Sequence, residues 1–316
     1  MRDDAIAPVI AVMLILAAIV TFLSIWNAIY VPSMKESSEV SHLQNVETSF
    51  VHFSSDIDQA VSSHQDSLVF SEPVQLGGGD TLVNQLKSSG ALQVQNESDP
   101  VYILTLSGSD GQTTINGTLI NFSYEPVNNF WQDQGYTWQY GYINVTKYGT
   151  LSTPLTYYNM TDVHSPSGTL QTLAKSFVLA SATTNTTPSS YGNLSTLDIW
   201  VVSMYASPDH SFVSSNGFGT LRLTSNVTTT HHTNIEDIFL ESNDPFFGPV
   251  VNDTFSSNIN TINTTYSAYP ANITTSLIQD TNDPDYPYNS CWTVYQQPLS
   301  PVTINVHQVN IAVSAS

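Results

Sequence analysis

Basic side chains are scarce: six Lys and Arg stand against 26 Asp and Glu, a formal net charge of −20 over 316 residues. A surface of that sign repels phosphate, and no basic cluster occurs, which argues against nucleic acid as a partner. Cysteine is nearly absent. Cys291 stands alone, so no disulfide can close within the chain, and a buried, inert thiol is expected. Catalytic signatures are missing too: there is no H-E-x-x-H, no C-x-x-C and no G-x-S-x-G. Ser, His and Asp are plentiful, but plenty assigns no triad. The expectation is a non-enzyme without a cofactor or resident metal.

Charged residues make up only 10% of the chain, and Ser, Thr and Asn take their place. Such a hydroxyl-rich exterior suits a secreted or cell-surface protein. Arg2 and Lys35 balance Asp3 and Asp4, so all of the negative charge falls on residues 36–316.

Charge is absent altogether from Ala5 to Met34, a span that contains AIAPVIAVMLILAAIVTFLSIW. The apolar run of about 21 residues spans roughly 32 Å as a helix, enough to cross a bilayer. A cleaved secretion signal has a shorter apolar core and a small-x-small site after it; here Trp26, Asn27, Ala28, Ile29 and Tyr30 follow. Trp26 and Tyr30 suit the lipid–water interface. Pro8 falls in the first turn, where a missing N–H costs nothing. A retained transmembrane helix is expected.

Beyond Pro32 the pattern becomes one-sided. Leu43, Val46, Phe50, Phe53, Ile57 and Ala60 recur at alternating steps of three and four, which lines them along one seam of a helix reaching about His64. Pro32 either opens this helix or kinks a continuous rod. The seam has two possible partners: the underside of the domain that follows, or the same seam on another copy.

A short charged leader, then DAIAPVIAVMLILAAIV, then a long amphipathic helix resembles the amino-terminal region of archaeal type IV pilin-like proteins. Their A-V-S-P-V-I-G-V motif is matched, with small substitutions, by Ala5-Ile6-Ala7-Pro8-Val9-Ile10-Ala11-Val12. The resemblance covers roughly residues 1–65 and is faint over the rest. It implies a leader at 1–4 cut between Asp4 and Ala5 by a prepilin peptidase, although the family cuts after a basic and a small residue. It implies a transmembrane, then filament-core, helix at 5–31, a stalk helix at 32–65 and a displayed head at 66–316. The partners implied are lipid before assembly, a membrane assembly machinery and further copies of the chain. Assembly would run through Pro8, Ile10, Leu14, Ile19 and Leu23, continued by Leu43, Val46, Phe50, Phe53 and Ile57.

The head reads as an all-β, sandwich-like unit, so the whole chain is α+β. Short alternating runs are separated by Gly, Pro, Asn and Asp. A hairpin is expected about Asp110-Gly111, and TLDIWVVSMYA reads as a buried central strand. Val302, Ile304 and Val306 alternate, then shift phase to Val309, Ile311 and Val313, which suggests a bulge. Short helices are expected after Thr81 and over Asn234–Leu240. Residues 181–195 either divide two β subdomains or form one long loop. Eleven of 25 asparagines sit in Asn-x-Ser/Thr: Asn96, Asn116, Asn121, Asn144, Asn159, Asn185, Asn193, Asn226, Asn252, Asn263 and Asn272. They are the glycosylation candidates of an extracellular head.

Other constellations have plain readings. Tyr136, Trp138, Tyr140 and Tyr142 alternate on one strand face and read as core. GGGDTLVNQL from Gly77 lacks the Lys-Ser/Thr of a phosphate loop. Asp280, Asn282, Asp283 and Asp285 crowd a loop, but Pro284 and the absence of a distal Glu favour a solvated turn over Ca²⁺. His231 and His232 are adjacent and would point to opposite strand faces, while His164 and His210 are isolated. The function expected is structural: a self-assembling surface protein, with a non-polymerising membrane-tethered binding protein as the alternative.

Overall fold

A computed structural model describes residues 6–78, 88–127, 133–147, 149, 151–156, 160–163, 165, 168–184, 194–265, 273–276, 288–294 and 302–316. The chain opens on one rod. Helix α1 (Ile6–Ile25) runs through a π-helical turn (Trp26–Tyr30) into α2 (Val31–Ser63). Pro32 accounts for the change of pitch. Its ring would meet the carbonyl four residues back, and it has no N–H to donate. In the wider turn the N–H of Val31 reaches back five residues to the carbonyl of Trp26, and the helix passes the proline unbroken. His64, in the left-handed region at φ 51°, ends the rod.

The head holds β1 (Val69–Gln75), β2 (Ser89–Asn96), β3 (Tyr102–Gly108), β4 (Gly111–Gly117), β5 (Ile120–Val127), β6 (Gln134–Gln139), β7 (Tyr142–Lys147) and β8 (Leu151–Pro154). Short helices α3 (Met160–Val163) and α4 (Thr169–Ala174) precede β9 (Val178–Thr184), β10 (Leu194–Ser215), β11 (Phe218–His232) and β12 (Ile235–Ser242). Helix α5 (Phe247–Thr265), β13 (Ile273–Ser276), β14 (Tyr288–Val294) and β15 (Thr303–Ala315) complete it. One sheet runs β1-β11-β15-β10-β2-β5-β6-β7-β8, with β9 also paired to β10; the second runs β13-β14-β12-β3-β4. Only β10 and β15 pair in parallel among the described strands. The expected hairpin is β3–β4, with Gly111 at φ 125° opposite Gly108.

Helix α2 lies inside this fold. Leu43, Val46, Phe50, Phe53, Ile57, Ala60 and Val61 are buried and belong to one hydrophobic core with both sheets. Phe122 anchors the contact: its ring stands 5.0 Å from Phe50, 5.3 Å from Phe53 and 5.2 Å from Trp138. The indole N–H of Trp138 donates to Ser54 Oγ at 2.9 Å. Seven apolar side chains buried at about 1.5–3 kcal/mol each contribute more than 10 kcal/mol, comparable to the net stability of a domain. No packing boundary therefore falls between residues 65 and 66.

The helix also closes an open sheet edge. Ser49 Oγ donates to the carbonyl of Pro73 at 2.9 Å, and His42 Nε2 to that of Gln75 at 2.8 Å. In an antiparallel pair, residues two apart point their backbone groups to the same side, so the N–H that Pro73 lacks lies on this edge. Proline is tolerated there because no strand follows. The two sheets are joined by Tyr102, whose hydroxyl donates to the carbonyl of Val202 at 2.6 Å. Gly117 makes room for its ring: a Cβ there would overlap Tyr102.

Several expectations are corrected. Residues 234–240 form no helix; β12 starts at Ile235 and occupies the rest, paired to β3 and β14. A register shift between Ile235 and Asp237 lets Ile235 and Ile238 share a face despite the helix-like spacing of three. The phase change in β15 is real, but it comes without a bulge. Its register against β10 and β11 runs unbroken through it, and β10 switches its buried side at the same level, from Leu197, Ile199 and Val201 to Val202 and Met204. The sheet is covered on one face at one end and on the other face at the other. The stretch 181–195, open between a divider of two subdomains and one long loop, overlaps the ends of β9 and β10, which pair with each other. The helix expected after Thr81 and the Asp280–Asp285 loop lie outside the described residues.

Candidate functional site

The most exposed apolar surface is α1 itself. Pro8, Ile10, Leu14, Ile19 and Leu23 all face outward, on different sides of the rod. This is the only described helix long and apolar enough to cross a membrane, and none of its apolar window is buried against the rest of the chain. At its far end Phe22, Trp26 and Tyr30 form a ladder, with centroids 6.1 and 5.2 Å apart; their four-residue spacing survives the π-turn and collects the rings on one side. Exposed apolar surface of this extent is unfavourable in water, and the helix is long enough to span a bilayer.

Leu43, Val46, Phe50, Phe53 and Ile57 are not part of that surface. They are enclosed by the chain's own head, so the seam faces the sheet and not a neighbouring copy. What α2 leaves outside is a polar stripe that includes Ser37, Gln44, Thr48 and Ser55, with Met34, Val40 and Val51 the apolar exceptions. Asp4 and Ala5 lie outside the described residues.

Where α2 enters the head, three polar side chains are buried: Lys35, Glu39 and His42. The His42 ring meets Tyr124 edge-on at 5.9 Å, and a Cβ on Gly78 would stand 2.8 Å from its Cβ. With Nε2 donating to Gln75, Nδ1 is the bare acceptor of the neutral ring. Among the described residues it has no partner, and burial holds the His42 pKa below its usual value against the pull of the Gln75 carbonyl.

Of the glycosylation candidates, Asn96, Asn116 and Asn226 are exposed, while Asn121, Asn144, Asn252 and Asn263 are half-buried. Asn121 spends its amide on Glu97 at 3.1 Å, and Asn252 Oδ1 is buried. Asn159, Asn185, Asn193 and Asn272 lie outside the described residues.

The aromatic row is core: Tyr136, Trp138 and Tyr142 are buried. Tyr140 departs from it, because with Gly141 it makes a turn in which both residues have positive φ, 52° and 83°. This puts Tyr140 at a recess of about 190 Å³ lined by Glu97, Asp99 and Asp244. All three carboxylates are engaged, Asp99 by Ser98 Oγ at 3.1 Å. Glu97 accepts from Asn121 and Gln139, and Asp244 accepts the N–H groups of Phe246 and Phe247, which start α5.

Sequence reasoning missed a cross-strand network. Asp198 accepts from Asn305 Nδ2 at 2.8 Å and pairs with His307 Nε2 at 3.1 Å; His307 Nδ1 lies 2.9 Å from Thr229 Oγ1, and Trp200 stacks on the imidazole at 4.2 Å. The order hydroxyl, imidazole, carboxylate imitates a nucleophilic triad. In the register of β10, β15 and β11, Asp198 stands opposite Asn305 and His307 opposite both Trp200 and Thr229, so the Asp198–His307 contact is diagonal; the described recesses do not include these residues. The network reads as rungs across a sheet. No described group of His, Cys, Asp and Glu could hold a metal. Cys291 is buried.

Compared with protein-family models, with curated proteins and with solved structures, the chain matches none.

Proposed function

We propose that the chain is a structural subunit of an archaeal type IV pilus-like extracellular filament. Helix α1 anchors it in the membrane before assembly and bundles with its copies afterwards, and the acidic, N-glycosylated β head is displayed for adhesion. The observation that carries this reading is the continuity of a bare apolar helix with one built into its own head. A tether needs only a span and a linker. Here α1 passes through one π-turn into α2, and α2 is the core of the head, so the position of α1 in a bundle fixes the position of the head. Burying about 20 apolar side chains among copies yields tens of kcal/mol before entropy is counted, and lipid offers a comparable refuge to the monomer. The same segment thus serves both states.

Terminal mass spectrometry on sedimented material tests it. A mature chain beginning at Ala5 in a high-speed pellet that withstands removal of lipid is the expected result. A chain with Met1 intact, released by detergent as a monomer, overturns assembly in favour of a membrane-tethered binding protein. Glycan should appear at Asn96, Asn116 and Asn226 before the half-buried sequons.

A further inference from the structure

Phe212 and Phe218 flank the turn at Asn216-Gly217 that joins β10 to β11. Phe218 is 70% exposed, more than any other large hydrophobic side chain described, those of α1 included, and Phe212 is 58% exposed. Both face the same way. Their neighbours Val213 and Gly219 turn inward together, since a Cβ on Gly219 would stand 3.1 Å from Val213 Cγ1 and 2.9 Å from Leu76 Cδ1. Strand alternation then sends both phenylalanines to the outer face. Arg222 shares that face, two alternations beyond Phe218, and is exposed. Among the described residues no carboxylate lies within ion-pair distance of it. The partners of Phe218 and Arg222 on β1 are the neutral Gln75 and Ser71.

Two aromatic rings and an unpaired guanidinium are the composition of an interface centre. Lipid is not the occupant. The Leu76 N–H donates to the Gly217 carbonyl, and Gly78 abuts His42, so the turn sits at the level of His42. That is 12 residues, or about 18 Å, along the rod beyond Tyr30, clear of the apolar bilayer. A second copy fits on charge. The chain carries 26 acidic residues and a net charge of −20, so it repels itself except where a patch centred on Arg222 meets an acidic one; the carboxylate on the Phe212 side of this face, Glu125, stands two strands from Ser214, across Ala91. Such a contact is heterologous, the kind that continues from subunit to subunit instead of closing.

We propose that the Phe212–Phe218–Arg222 face is the head-to-head contact, docking on a carboxylate-bearing surface of the neighbouring copy. This rests on the assembly reading above, in which bundled α1 helices hold the heads side by side.

The lone native thiol is buried, so F218C in the full chain gives one reactive site for a benzophenone label. Irradiation of the native membrane and filament fraction should give a dimer-sized adduct mapping to an acidic peptide of another copy. R222E should lower its yield at least fivefold, and raised salt should lower it in the parent. Adducts only to lipid or to other proteins, or none, overturn the proposal. A separate I19C label reports on α1 bundling. An Ile19 dimer with a silent Phe218 leaves assembly standing and removes this face. A Phe218 dimer without one at Ile19 keeps the face and removes the bundle. Silence at both removes both.

Discussion

His42 Nε2 lies 2.8 Å from the carbonyl oxygen of Gln75, so a helix side chain occupies the place where a further strand would donate an N–H. The bond fixes the tautomer and leaves Nδ1 bare in a buried site. Burial penalises the doubly protonated, charged ring more than the Gln75 carbonyl favours it, hence the lowered pKa. As pH falls through about 6.5, the usual histidine value, the unfolded chain takes up a proton that the folded chain refuses. The stability that His42 contributes is therefore complete above that pH and is lost progressively below it, towards the folded pKa. H42Q keeps a donor for Gln75 and removes the titration. Thermal unfolding of the parent should fall relative to H42Q between pH 7.5 and 5, with little difference at the upper end. A constant offset across that range would contradict the assignment.

Asp58 on α2 works in the opposite direction. Burial pushes its carboxyl up to about 6, so holding it ionised at pH 7 costs up to about 3 kcal/mol relative to the unfolded chain. The cost disappears as pH falls through 6 towards the usual carboxylate value. D58N should raise the unfolding midpoint at pH 7 and change nothing below pH 4. The contrasting signs of Asp58 and His42 in one pH window make the variants, and not the parent curve, the informative measurement.

The stalk helix cannot be separated from the head. A fragment starting at Ser67 loses Phe50 and Phe53 from the Phe122–Trp138 stack, and the donors of the β1 edge with them. It should show no cooperative unfolding transition by calorimetry, whereas a fragment starting at Ser33 should fold as a soluble monomer. Within the full chain, F50A and F53A should each cost about 3–5 kcal/mol.

The rod was legible in the sequence because both of its periodicities are strong: a continuous apolar run, then a seam at steps of three and four. The partner of the seam was not, since Phe50 and Phe53 would be spaced alike against a sheet or against another helix. The bulge at Ile235 disguised β12 as a helix. Helix α5 was missed for a different reason. Phe247, Val251, Phe255, Ile259 and Ile262 carry a clear helical spacing and are buried, but the Asn, Ser and Thr between them belong equally to loops. Phe218 and Arg222 carry no sequence signal beyond ordinary strand alternation. Which face of a strand is bare depends on what the sheet packs against, and that is a property of the fold, not of the local pattern.

Leu14 lies near the middle of α1 and touches nothing in the head, which makes it the cleanest probe of what α1 is for. A lysine there costs about 2.5–3.5 kcal/mol for insertion at mid-bilayer depth, and a similar or larger amount in a dry helix bundle, where it would be buried unpaired. The head, held by α2 and the sheets, should unfold at the same temperature in L14K as in the parent. The sedimentable fraction should nevertheless fall steeply, since 2.7 kcal/mol is about a hundredfold in an equilibrium constant. Differential scanning calorimetry and quantitative pelleting on the same sample separate the two effects. A lowered head midpoint would mean that α1 contributes to the fold, and an unchanged pellet would mean that Leu14 faces neither lipid nor a neighbouring helix.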